Sequence, residues 1–188
     1  MNLYPFFNED GFSNSYILAT KKNNCPCVII DPSDFTIEML QLTENRNYRV
    51  EAVFLTHYNR LHVTGLTKLS KIYRPAVYTP RIGERENFDM IEIGDRKTIS
   101  VGDIEIKIVN FLGDFGNAVF YRIGRFLFTG DLYQAGDWHA EEEIFTVNHA
   151  FIVKNLKNYL CSEKSNLLIY PAFGAPTSFH LEFPECFS

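Results

Sequence analysis

Arg125-Phe126-Leu127-Phe128-Thr129-Gly130-Asp131 (RFLFTGD) reads as an apolar strand that stops on a glycine and then presents a carboxylate. The run before it, Ala118–Ile123, is separated from it by Gly124 alone, so the two form a hairpin. A polar group placed just past a buried strand sits where scaffolds usually carry their chemistry. Three other strand ends have the same character. Val50–Thr56 runs into Thr56-His57-Tyr58-Asn59-Arg60-Leu61-His62, and Asp103–Asn110 leads to Gly113-Asp114-Phe115-Gly116. Asn166–Tyr170 leads to Tyr170-Pro171-Ala172-Phe173-Gly174-Ala175-Pro176-Thr177.

Between these junctions the periodicity alternates between strand and helix. Asn14–Thr20 and Cys27–Asp31 are strands joined by the polar turn Lys21–Asn24. Asp31-Pro32-Ser33-Asp34 ends the second and offers N-caps to a helix whose apolar face is Phe35, Met39 and Leu42. Val50–Thr56 is apolar enough to be covered on both faces. Leu66, Leu69 and Tyr73 mark a second helix, ended by Pro75, before the short strand Ala76–Thr79. Asp89–Ile93, Lys97–Val101 and Asp103–Asn110 are separated by the turns Gly94-Asp95 and Gly102-Asp103. A long amphipathic helix is expected over Thr146–Leu160, and a Pro/Gly-rich tail after Tyr170. Two halves, each with strands and then a helix, suggest two packed mixed sheets with helices outside, although periodicity alone leaves both α/β and α+β open.

Composition narrows the function classes. With 188 residues and no Pro/Gly/Ser-rich linker, a single domain over 1–188 is expected. A formal net charge of -5, with acids spread along the chain, argues against nucleic acid as the main partner. No apolar run approaches the roughly 20 residues that span a bilayer, so no membrane partner is expected either. The start, Met1-Asn2-Leu3-Tyr4-Pro5, lacks the basic and apolar regions of a signal peptide. A cytoplasmic protein with reduced thiols follows as the expectation. Cys25-Pro26-Cys27 reads as two thiols in a turn before a strand, with a soft-metal pair as the alternative, while Cys161 and Cys186 stand alone.

In order and spacing, the four junctions resemble the metallo-β-lactamase superfamily, closest to its glyoxalase II-like branch. Asn14–Leu18, Ile30-Asp31-Pro32 and Asp89–Phe111 add to the likeness, and Leu127-Phe128-Thr129-Gly130-Asp131 is its most specific part. The resemblance implies an α+β fold, an αββα sandwich of two mixed sheets flanked by helices. It also implies a two-metal hydrolytic centre fed by a His-x-His-x-Asp-His loop, a Gly-His loop, a bridging aspartate and a last histidine from a Pro-Gly-His-Gly turn.

Several of those ligand positions are altered here. His57 and His62 match the first and last places of the His-rich loop, and Asp131 matches the bridging aspartate. Asn59 stands for the middle histidine, Leu61 for the aspartate, and Phe173 for the final histidine. Asp114 stands for the histidine of the Gly-His loop, which is one residue shorter here. The metal candidates are therefore His57, His62, Asp114 and Asp131, with Asn59, Leu61 and Phe173 as degenerate positions.

Replacing ligands by Leu and Phe puts apolar surface where an ion and its hydration would sit, which opposes metal entry. The aspartate replaced by Leu61 is the one that helps hold the attacking water in the family. No dinuclear centre is expected, only no metal or one divalent ion such as zinc, iron or manganese. No catalytic residue is assigned. The expected role is a non-hydrolytic module binding a small molecule or protein, with a mononuclear thioesterase or esterase, or a redox metalloprotein, as alternatives. Each candidate also has a plain structural reading: His57 and His62 as bonded core histidines, Asp131 as a turn cap, Asp114 as a turn residue. His139, His149 and His180 match no motif and read as surface or packing residues; Trp138–Glu143 reads as a solvated acidic loop.

Overall fold

The computed structural model describes residues 1–9, 11–58, 65–82, 89–110, 118–133, 149–163 and 166–187. Alternation along β2 (Ser13–Ala19) and β3 (Pro26–Ile30) sorts their side chains onto two covered faces. Tyr16, Leu18, Val28 and Ile30 point one way and Ile17, Ala19, Cys27 and Ile29 the other, all of them buried. The first set faces a second sheet and the second set faces helices, so these strands lie inside a layered structure, not on its surface.

The first sheet has the order β1-β2-β3-β4-β5-β6, with β1 (Asn2–Asn8), β4 (Arg49–Phe54), β5 (Ala76–Thr79) and β6 (Met90–Glu92) completing it. β1, β2 and β3 pair antiparallel, whereas β3 to β6 pair parallel. The second sheet has the order β12-β11-β10-β9-β8-β7. Its members are β7 (Thr98–Val101), β8 (Ile104–Val109), β9 (Phe120–Ile123), β10 (Phe126–Gly130), β11 (Leu168–Pro171) and β12 (Thr177–Ser178). Among the described residues β10 and β11 pair parallel and the other neighbours antiparallel.

Three apolar clusters bind four layers. The central one joins Tyr16, Val28 and Phe54 to Ile104, Ile106, Tyr121 and Phe128 across the sheets. The second packs α1 (Ile37–Asn45) and α2 (Leu66–Ile72) on the first sheet through Phe35, Met39, Leu66 and Leu69. The third packs α3 (His149–Glu163) and α4 (Phe179–Glu182) on the second sheet through Leu156, Leu160, Phe179 and Ile169. The order is α/β/β/α, as the sequence implies.

Some expectations need correction. The 31–34 stretch does not cap α1. Its N-cap is Thr36, whose Oγ1 accepts from Met39 N at 3.4 Å, because Asp31 and Ser33 are drawn into the core instead. The Pro/Gly-rich tail carries elements the sequence pattern does not show: β12, α4 and a 3-10 helix over Pro184–Phe187. Cys161 and Cys186 do not stand alone: α3 and the 3-10 helix bring them together in a disulfide with Cα atoms 5.4 Å apart. The 15-residue helix begins at His149, and the expected start at Thr146 lies outside the described residues.

Candidate functional site

The site is built where β4 of one sheet and β10 of the other both end. β4 is followed by Leu55, Thr56 and His57, and β10 by Asp131. His57 Nε2 lies 3.1 Å from Asp131 Oδ2, and the two side chains are 7% and 6% exposed. At that burial an ionised carboxylate needs a positive partner or several donors.

Thr56 is held before His57 is aimed. Asp31 accepts from Thr56 N at 2.8 Å and from Thr56 Oγ1 at 2.9 Å, and all three groups are buried. Asp31 reaches this position from a left-handed backbone, φ 45°. The Thr56 carbonyl accepts from Val119 N at 2.8 Å, and His57 makes an isolated antiparallel bridge with Ala118. Thr56 Oγ1 also stands 3.3 Å from His57 Nδ1. A hydroxyl has one proton, and this one is donated to an acceptor-only carboxylate. The 3.1 Å between Nε2 and Oδ2 suits either one shared proton or a metal ion held by both atoms.

Gly130 makes the approach of the two strand ends feasible. Its φ is +56°, and a Cβ there would collide with the Thr56 side chain, so no larger residue fits. The neighbouring strand end is tied in by Ala172 N donating to Gly130 O at 2.9 Å. The turn that carries Phe173 is pinned from β2. Asn14 Nδ2 donates to Pro171 O at 3.1 Å and Gly174 O at 2.8 Å, and Tyr16 Oη donates to Pro171 O at 2.5 Å. Burial pushes the Tyr16 phenol well above its usual range, with Asp31 adding to the effect, so it stays a donor. Beyond Asp131, Glu182 of α4 accepts from Tyr133 Oη at 2.6 Å and from Thr177 Oγ1 at 2.7 Å, which ties Tyr133 to α4 and β12.

Of the sequence candidates, His57 and Asp131 are brought together and Phe173 is half-buried on its pinned turn. Asn59, Leu61, His62 and Asp114 lie outside the described residues, as do His139 and Trp138–Glu143. His180 is exposed on α4. The Cys-Pro-Cys thiols are buried: burial pushes Cys27 up to about 12, while Cys25 Sγ donates to Lys22 O at 3.0 Å. Asp31, Thr56, Asn14 and Glu182 were not singled out for the site. A carboxylate directly after the wholly apolar Cys27–Ile30 and before Pro32 was the available signal for Asp31.

Metal–ligand bonds of about 2.1 Å at tetrahedral to octahedral angles hold donor atoms roughly 3.0–3.4 Å apart. The 3.1 Å between Nε2 and Oδ2 fits that spacing for one ion. Phe173 supplies no donor, and no group of three or more His, Cys, Asp or Glu around a common point occurs among the described residues. His57 and Asp131 would hold one ion.

Comparison with known proteins agrees with this architecture. A hydroxyacylglutathione hydrolase of Klebsiella pneumoniae is 28% identical over 126 residues, covering 66% of this chain and 49% of that protein. The chain thus spans about half the length of that curated relative. ETHE1 from Myxococcus xanthus superposes with a TM-score of 0.75 at 20% identity, covering 97% of this chain and 82% of that one. The BLEG-1 B3 metallo-beta-lactamase gives 0.76 at 16% identity, covering 97% of both chains. The family model of the metallo-beta-lactamase superfamily matches residues 8–180, and the chain belongs to that superfamily.

Proposed function

We propose that this chain is a metallo-β-lactamase-fold protein with a degraded dinuclear centre, working as a binding or interaction module instead of a hydrolase. The observation that carries the reading is Phe173. On a turn pinned by Asn14 and Tyr16, where the family places its last histidine, this chain has a half-buried apolar ring. Together with Leu61 in place of the water-orienting aspartate, it leaves one of the family's two metal positions only His62 and the shared Asp131. Losing one preorganised stabilising group can cost about 100-fold or more in rate.

The 3.1 Å His57–Asp131 spacing favours a second reading, with one ion of zinc, iron or manganese bound and ester or thioester hydrolysis, or redox chemistry, retained. A bound divalent ion would supply Lewis acidity and lower the pKa of its water. His57 and Asp131 would hold it, with the Thr56–Asp31 pair fixing the ring.

Elemental analysis of protein purified without chelator, paired with a glutathione-thioester assay, tests both. Less than one equivalent of metal and no turnover is the expected result. Two tightly held ions per chain would overturn the degraded-centre reading. Metal-dependent turnover above about 1 per second, in the ordinary enzyme range, that is abolished by His57→Ala would establish the second one.

A further inference from the structure

The starts of β10 and β11 border a groove of about 860 Å³ at the end of the sandwich opposite His57 and Asp131. From Phe126 to Gly130 the strand advances roughly 13 Å, so this groove is separate from the site above. Three cations line it from three separate segments: Lys21 of the β2–β3 turn, Arg46 after α1, and Arg125 of the β9–β10 turn. None of the three has an ion-pair or side-chain hydrogen-bond partner among the described residues. Among the described residues no acidic side chain lines the groove, although the chain carries a formal charge of -5.

The walls are aromatic. Tyr4, Phe126 and Tyr170 are half-buried in it, with Phe126 and Tyr170 packed edge to face at 5.7 Å. Burial raises the Tyr170 phenol, and the charge of Arg125 partly offsets that rise. Surface cations normally scatter among acids. Three of one sign around one recess, in an acidic protein, focus a positive potential there. Two guanidinium groups and an ammonium suit phosphate oxygens, and the rings suit a flat or apolar body. The volume lies within the range of small-molecule sites.

We propose that this groove binds a small phosphorylated molecule with a flat or apolar body, of nucleotide size. A titration of the full chain with ADP, pyrophosphate and adenosine, followed through amide resonances, tests it. ADP is expected to shift Lys21, Arg46, Gly124 and Arg125 with a Kd of about 100 μM, and adenosine to bind at least tenfold more weakly. Pyrophosphate is expected to shift the same amides, and added salt to weaken both anions. Lys21→Ala/Arg46→Ala/Arg125→Ala should abolish binding, and Arg125→Glu alone should weaken it tenfold or more. Lys97→Ala, an exposed lysine on the far sheet edge, should change nothing. Equal binding of adenosine and ADP, shifts confined to His57 and Asp131, or unchanged affinity in the triple variant would overturn the proposal.

Discussion

Thr56 donates both its backbone N–H and its hydroxyl to the carboxylate of Asp31, at 2.8 and 2.9 Å, across 25 residues of sequence. The carboxylate so occupied fixes the residue that precedes His57, and the hydroxyl so committed stands 3.3 Å from Nδ1 of the ring. Fold and site are therefore joined through one buried acid.

Asp31→Asn keeps the shape but sets an amide N–H₂ against one of the two Thr56 donors. Leaving a buried donor unmatched costs about 1–3 kcal/mol, more where a charged acceptor was involved. A loss of about 3 kcal/mol is expected from urea unfolding, without a change in m-value. A loss below about 0.5 kcal/mol, the range of ordinary surface substitutions, would show that the Asp31–Thr56 pair does not hold the strand end.

Gly130→Ala tests the close approach of β10 to Thr56. The substitution meets both a positive φ and a collision, so about 2–4 kcal/mol of destabilisation is expected. Thr56→Ala removes the Oγ1 that the added methyl meets first, so the two losses should be less than additive in the double variant. Additive losses would place the strain elsewhere.

Asn59→His, Leu61→Asp, Asp114→His and Phe173→His together restore all seven ligand types of the family on the same loops. Binding to the folded state alone stabilises it by about 2.7 kcal/mol at 100 times the dissociation constant. Zinc is expected to raise the melting temperature of this variant by several degrees and to leave the parent almost unmoved. A folded variant that binds no zinc by calorimetry would mean one loop is misaligned, and the shortened loop of Asp114 is the first to re-examine.

The disulfide between Cys161 and Cys186 closes a loop of 25 residues and ties α3 to the chain beyond α4. Loop-closure entropy for that span corresponds to about 3 kcal/mol. Cys161→Ser/Cys186→Ser is expected to lose about that much in chemical denaturation. Reducing agent should lower the parent's midpoint and leave the double variant unchanged. A parent indifferent to reductant would mean the thiols are not joined in solution.

Layers were readable because periodicity reports burial. Tyr16 and Leu18 against Ile17 and Ala19, and the helical spacing of Leu66 and Leu69, each required covering on a known side. β1 escaped because Asn2–Asn8 carries Pro5 and is only half-covered, as edge strands are. The ends of the chain escaped for a related reason: two-residue β12 and four-residue α4 are too short to show a period. His57 and Asp131 were found through family resemblance, whereas Asp31, Asn14 and Glu182 act over long separations that no local pattern records. The Cys161–Cys186 pairing is of the same kind, a matter of which elements meet.

The Val119 amide, bonded to the Thr56 carbonyl, and the bridge from His57 to Ala118 stitch the two sheets at the rim of the site. At that corner the sandwich has no seam, so it cannot gape there without dismantling the strand end that aims His57. Deuterium uptake at Val119 would consequently follow the opening of the site itself, giving a native-state clock for site integrity that needs neither substrate nor metal.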